Sequence, residues 1–322
     1  MGLETPSAGG ILVEARNVSK NFASSGARNL FMNSRSGQSA SVHAVRDASL
    51  TIREGETFGL IGESGSGKST LGYIVARILS PDGGTVHWNG NVQIIFQEPG
   101  GALNPAYNVN WMFHEALRAR KAGGRAERAR VVSRTLPRVG LDEQCLGRYP
   151  HELSGGQKQR VSIMLALLME PRLIVADEIV SSLDVSARAQ ILNLLIELQS
   201  ALRLSYLFIS HDLDIVYYMA HTIAVMYRGE IVEFGPSDEV CNAALHPYTM
   251  ALMRDARYDA GGAGESAGCA DAGDDADEPQ GPAGDGCLYA GRCPHARDKC
   301  RAGRPAPVAA GANHWAKCVG LN

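Results

Sequence analysis

The segment GLIGESGSGKSTLGYIV constrains this chain more than any other. From Gly62 to Ser69 it follows the pattern G-x-x-x-x-G-K-S, with the apolar run ETFGLIG leading into it and a helical pattern leading out. Strand, glycine-rich turn and helix in that order form a loop whose backbone N–H groups converge at a helix N-terminus, where aligned peptide dipoles favour an anion. Gly62, Gly65 and Gly67 let the backbone turn tightly, Glu63, Ser64 and Ser66 complete the loop, and Thr70 follows Ser69 into the helix. Lys68 is placed to reach the β- and γ-phosphates of a nucleotide, and the Ser69 hydroxyl to ligate Mg²⁺. A strand that runs into such a loop implies an α/β fold with a mainly parallel sheet.

The rest of the chain from about Ile11 to Arg257 keeps that pattern. RLIVAD and SYLFIS are nearly continuous apolar runs, as strands covered on both faces are. Ile191, Leu194, Leu195, Leu198 and Leu202 recur at helical spacing and form one apolar stripe for packing on the sheet. Between Pro99 and Leu153 the strand pattern gives way to helical segments, WMFHEALRARKAGG and AERARVVSRTL, so a helical insertion is expected over about 98–160. A hydrolytic nucleotide site also needs an acid for the Mg²⁺ shell and a group that activates water. Asp177, ending an apolar strand, suits the first role and Glu178 the second.

The motif LSGGQKQR lies between the phosphate loop and LIVADE. In this order the motifs resemble those of ATP-binding-cassette (ABC) ATPases over about Val13 to Val240. The resemblance implies a P-loop cassette: a parallel-sheet core, an antiparallel β subdomain and a helical subdomain. It implies that Leu153, Ser154, Gly155, Gly156 and Gln157 meet a γ-phosphate held by a second cassette, so that ATP is sandwiched between two subunits. Gln97 in IIFQEP resembles the glutamine that senses Mg²⁺ and the attacking water, His211 in FISHDL the histidine that contacts the γ-phosphate, and Asp184 in SSLD the aspartate that acts across the dimer interface. Phe22 in SKNF matches the aromatic that stacks on adenine. Within the family, FQEPGGALNP, HPYTMALM and the terminal cysteines resemble the ATPases of peptide and nickel importers. That likeness implies a sister ATPase subunit, two transmembrane permease subunits and an extracytoplasmic solute-binding protein as partners, with peptides as cargo. A nickel or other solute importer, and a soluble ABC ATPase without a membrane partner, are the alternatives.

Two stretches depart from the family pattern. Ile179 and Val180 stand where Pro-Thr or Pro-Val usually follows the acidic pair, a change expected to loosen the turn that aims Glu178. HWNGNVQIIFQ runs from an Asn-Gly turn almost directly into the Gln97 strand, so the antiparallel subdomain is expected to be trimmed there.

Composition narrows the setting. A net charge of −3 and a pI near 6.3 provide no general attraction to nucleic acid. No run approaches the roughly 20 apolar residues of a membrane span, and MGLETPSAGG lacks the features of a secretory signal. The expected compartment is therefore the cytoplasm, where thiols stay reduced, and the resemblance to importer ATPases implies the cytoplasmic face of the membrane. Residues 258–286, rich in Gly, Ala and Asp, read as a flexible acidic linker before a Cys-rich module at 287–322. Cys287, Cys293, Cys300 and Cys318 are spaced C-x5-C-x6-C-x17-C, a ligand set that suits zinc or an iron–sulfur cluster by type. The paired C-x2-C knuckles usual for zinc are missing, and the resemblance to peptide-importer ATPases implies a [4Fe-4S] cluster.

Overall fold

In the computed structural model, the structure describes residues 9–23, 41–259 and 286–321. The segment ASSGARNLFMNSRSGQSAS falls almost wholly outside the described residues, as does the linker beyond Asp259.

Two long strands open the chain, β1 (Ile11–Ala23) and β2 (Ser41–Arg53), antiparallel to each other, with β4 (Gly83–Trp88) on the far side of β1. In β2, Ala48, Leu50 and Ile52 alternate inward while their neighbours face out, so one face of this three-stranded sheet is apolar. Between β4 and the next strand only a short Asn-Gly turn intervenes, and β5 (Val92–Ile95) already belongs to the main sheet beside β6.

That sheet has the order β10-β11-β9-β8-β3-β7-β6-β5. Five neighbouring strands are parallel: β5, β6 (Leu173–Asp177), β7 (Ser205–Ile209), β3 (Thr57–Ile61) and β8 (Thr222–Tyr227). All residues of β3, β6 and β7 are buried, which is why their sequences are apolar without alternation. Their two faces nevertheless enter different cores. Ile174, Ala176, Tyr206 and Phe208 pack with the helices α5 (Gly155–Leu168), α6 (Val185–Leu202) and α7 (Leu213–Met219). Leu173, Val175, Leu207 and Ile209 pack with α1 (Lys68–Val75) and the three-stranded sheet. Of the stripe expected on α6, Ile191, Leu194, Leu195 and Leu198 are buried. Leu202 is exposed, because the helix ends there on Arg203 in the left-handed conformation.

The helical insertion contains α2 (Pro99–Ala102), α3 (Val109–Ala119) and α4 (Arg125–Thr135), followed by three 3₁₀ turns that lead into α5. Asn108 caps α3 by accepting from the Trp111 N–H, and the stripe Val109, Met112, Phe113 and Leu117 is buried with α5 residues in the larger core.

The C-terminal third returns to the sheet. After β9 (Glu230–Pro236) come α8 (Ser237–Asn242) and α9 (Pro247–Asp259), then α10 (Asp298–Ala302), β10 (Val308–Ala309) and β11 (Trp315–Ala316). α9 continues through Asp259, and residues 260–285 of the expected linker lie outside the described residues. The Cys-rich segment packs on the cassette. β11 pairs antiparallel with β9, Trp315 lies against Phe234, and Ala316 is fully buried. A segment this short cannot bury an apolar core alone, and it shares the core of the cassette instead. No helix among the described residues is long and apolar enough to cross a membrane.

Candidate nucleotide site

The phosphate loop follows the buried strand β3 and ends where α1 begins. Gly62, Gly65 and Gly67 have φ values of 152°, 76° and 101°. A Cβ at Gly62 would lie 2.1 Å from the Met226 carbonyl oxygen, and one at Gly67 2.0 Å from that of Ala44. Glycine is thus required at both places by conformation and by the close approach of β8 and β2. Lys68 is buried and bends back over the loop, its Nζ donating to the carbonyls of Gly62 and Glu63 at 2.8 Å each. Burial pushes its pKa down, against the opposing influence of Glu178, Asp177 and Glu63. An ammonium in this position encloses a cradle that an anionic phosphate chain would fill.

The acidic edge of the site is the end of β6. Ser69 Oγ donates to Asp177 Oδ1 at 3.0 Å, while Asp177 Oδ2 is buried without a hydrogen-bond partner. Burial raises the Asp177 pKa, partly offset by the Ser69 hydrogen bond. A buried acceptor left open beside a serine hydroxyl and a phosphate cradle fits a hydrated Mg²⁺. Glu178 is the point on which two other strand ends converge: Gln97 Nε2 donates to its Oε2 at 2.9 Å, and His211 Nδ1 lies 3.3 Å from the same oxygen. Gln97 follows β5 and His211 follows β7, so the parallel order β5-β6-β7 is what brings the three side chains together.

The turn after Glu178 is held by packing and by hydrogen bonds. Ile179 and Val180 are both buried in the larger core. The Ser181 N–H and hydroxyl both donate to the Glu178 carbonyl, and the Glu178 N–H donates to Ile209 O.

Ser154 caps α5 through a reciprocal pair, accepting from the Gln157 N–H while the Gln157 side chain accepts from the Ser154 N–H. Leu153 is buried beneath it, while Ser154 and Gly155 are exposed. Positions 155 and 156 lie against Leu183 and Ala187, which bracket Asp184. Asp184 in turn caps α6 by accepting from the Ala187 N–H at 2.9 Å. The signature run and Asp184 therefore form one exposed ridge. Phe22 lies at the end of β1, 40% exposed, with Lys20 over its ring.

Two residues with no local motif also reach the loop. The Glu63 N–H donates to the Tyr248 hydroxyl at 2.8 Å, and Arg292 pairs with the Glu63 carboxylate at 3.1 Å. Tyr248 belongs to the HPYT run and Arg292 to the cysteine segment. Nothing in their sequence neighbourhood points to position 63.

Cys287, Cys293, Cys300 and Cys318 line one cavity of about 250 Å³, together with His246, Met250 and Tyr289. None of the four is in a disulfide. Burial, with the neighbouring Cys300, Cys293 and Cys318 as lesser contributors, pushes the Cys287 thiol up. The expected metal-ligand set is nevertheless not assembled: among the described residues, no group of three or more His, Cys, Asp or Glu is drawn together to hold a metal ion.

The ABC transporter family model matches residues 45–181, and that for the oligopeptide/dipeptide transporter C-terminal region matches residues 232–300. A Brucella abortus protein named for peptide import ATP binding is 42% identical over 277 residues, covering 81% of this chain and 81% of its own length. The oligopeptide transport ATP-binding protein OppF of Streptococcus mutans is 41% identical over 259 residues, 75% of this chain and 80% of that protein. The glutathione import ATP-binding protein GsiA of Salmonella typhimurium is 44% identical over 228 residues, 66% of this chain but only 37% of GsiA. Among solved structures, cbiO1 from Clostridium perfringens, part of the ABC transporter complex cbiONQ, superposes with a TM-score of 0.60 at 26% identity, covering 72% of this chain and 91% of cbiO1. These matches span the phosphate loop, the acidic edge and the C-terminal third alike, and the chain belongs to the ABC transporter ATPases, the ATP-hydrolysing subunits of these transporters.

Proposed function

We propose that this protein powers the import of peptides, hydrolysing ATP at the cytoplasmic face of a membrane and transmitting the resulting motion to two permease subunits. The observation that carries the reading is the convergence of Gln97 and His211 on Glu178, next to the Ser69–Asp177 pair. Bound MgATP supplies the anhydride that is broken and the cation that neutralises its charge. Lys68 and the backbone N–H groups from Gly62 to Thr70 bind the phosphates, and Ser69, Asp177 and Gln97 hold Mg²⁺. Glu178 takes the proton of the attacking water, and His211 steadies the γ-phosphate. Phe22 stacks on the base. The ridge of Ser154, Gly155, Gly156, Gln157 and Asp184, with Leu153 buried beneath it, serves the ATP of a second cassette, a sister subunit. The cassette then runs over 11–257, and an extracytoplasmic solute-binding protein delivers the cargo. The peptide assignment is supported by the C-terminal region at 232–300 and by the import named for the relatives.

For the cavity of the four cysteines we propose a [4Fe-4S] cluster, a reading supported by the cysteine spacing and the resemblance to peptide-importer ATPases, while no metal-binding group is assembled among the described residues.

Glu178→Gln should keep MgATP affinity and lose at least ~100-fold in hydrolysis, the usual cost of removing a general base. The same variant should accumulate as an ATP-bound dimer in light scattering. Lys68→Ala should lose nucleotide affinity itself. Near-normal turnover by Glu178→Gln in the assembled complex would sink the assignment.

A further inference from the structure

Glu63 is gripped on three sides. Its carbonyl accepts from Lys68 Nζ, its N–H donates to Tyr248, and its carboxylate pairs with Arg292. The last two partners lie 185 and 229 positions further along the chain. We propose that Tyr248 and Arg292 are positioning residues, a clasp through which the C-terminal third sets the geometry of the phosphate loop and thereby its affinity for ATP. The inference rests on the ATP-hydrolase reading above.

The clasp has a built foundation. Tyr248 is 1% exposed, and its ring packs against Tyr227 at 4.6 Å and Tyr289 at 5.5 Å, with Tyr227 and Tyr289 edge to face at 5.3 Å. Tyr227 continues β8 from Met226, whose carbonyl closes on Gly62, so the aromatic trio stands directly behind the loop. Arg292 is presented by two successive turns, in which the Ala290 N–H donates to Cys287 O and the Arg292 N–H to Tyr289 O. The guanidinium also lies over the Tyr289 ring at 6.0 Å. An exposed ion pair alone contributes little. Here the pair fixes the same residue whose N–H is already held by a buried phenol and whose carbonyl is held by the phosphate-binding lysine. Displacing Glu63 therefore displaces the frame from which Lys68 and the loop N–H groups reach phosphate. The first of these turns begins on Cys287 and the second ends next to Cys293, so the cysteine cavity and the nucleotide site share one short piece of backbone.

The test is equilibrium binding of MgATP to the full chain, by displacement of a fluorescent ATP analogue. Arg292→Ala and Glu63→Ala should each weaken affinity about 5-fold, the scale of one charge-assisted contact, and the double variant should also lie near 5-fold because both remove one interaction. Arg292→Lys should recover most of the loss, which a purely structural disturbance would not. Tyr248→Phe should weaken affinity about 5–10-fold by leaving the Glu63 N–H unpaired. Because Arg292 is half-exposed, its variants should fold even where Tyr248→Phe does not. Unchanged affinity in Arg292→Ala, or a double variant near 25-fold, would overturn the clasp. A wild-type chain that binds no MgATP would overturn the ATP-hydrolase reading instead.

Discussion

At the scale of single residues, Glu178 shows how this chain replaces a missing proline. It sits at φ 48°, a left-handed conformation that costs a non-glycine residue about 1–2 kcal/mol and persists only where its surroundings hold it. The hold here comes from the residues that depart from the family pattern. Ile179 and Val180 are each 1% exposed, and Ser181 closes the turn on the Glu178 carbonyl. Truncation at position 179 should therefore act twice. Ile179→Ala should lose about 2–4 kcal/mol of stability through the cavity it leaves, and it should lower kcat more than it raises KM for ATP, because the carboxylate loses its aim while the phosphate cradle stays intact. Thermal melts and steady-state hydrolysis read the two effects separately. A destabilised variant with full kcat would show that Glu178 is aimed by Gln97 and His211 alone.

At the scale of elements, the phosphate loop hangs between β3 and α1, and β3 is tied to β8 at its entrance by His221. The His221 N–H donates to Thr57 O, and its Nδ1 accepts from the Thr57 N–H at 3.0 Å. Accepting through Nδ1 requires that nitrogen to be unprotonated, and burial lowers the pKa, with Glu56 partly opposing. The unfolded chain then takes up the proton first as pH falls, so stability should decline below the ordinary histidine range near ~6.5. His221→Gln offers an acceptor that does not titrate. Its melting temperature should fall less than that of the wild type between pH 7.5 and 5.5, and parallel profiles would count against the tie. His246, held down to about 4 by burial, contributes a slope of the same sign to both proteins and cancels in the comparison. Elements of this kind were the legible part of the sequence. The strand before Gly62 and the strand ending at Asp177 are signalled by glycine spacing and apolar runs, both within a few residues of the feature they specify. The pairing of β11 with β9 and the reach of Tyr248 and Arg292 to Glu63 were not legible. They join positions far apart in the chain, and a tyrosine or an arginine carries no mark of its distant partner. The exposed end of the α6 stripe at Leu202 belongs with them, since periodicity continues past the point where packing stops.

At the scale of the whole molecule, the C-terminal third closes a circuit around the cassette. β11 extends the sheet from β9, the buried Glu233 carboxylate accepts from the Leu245 and His246 N–H groups and meets His314, and the tyrosine trio joins α9 and the cysteine turns to β8. The cysteine cavity is part of this circuit. It lies where α9, the turns from Cys287 to Cys293, α10 and the residues after β11 meet, four stretches that no strand pairing holds to one another at that point. The proposed cluster would link the turns at Cys287 and Cys293, helix α10 at Cys300 and the segment after β11 at Cys318, while the sheet contacts of β11 would remain without it. Iron removal should thus leave the far-ultraviolet spectrum almost unchanged, yet raise amide exchange at residues 287–300. Anaerobic purification should yield brown protein with about four iron atoms and four sulfide ions per chain, and Cys293→Ser should reduce both. Colourless, iron-free protein from that preparation, with all four thiols reactive toward a thiol reagent, would remove the cluster from the account and leave the clasp on Glu63 to stand on its tyrosines and its arginine.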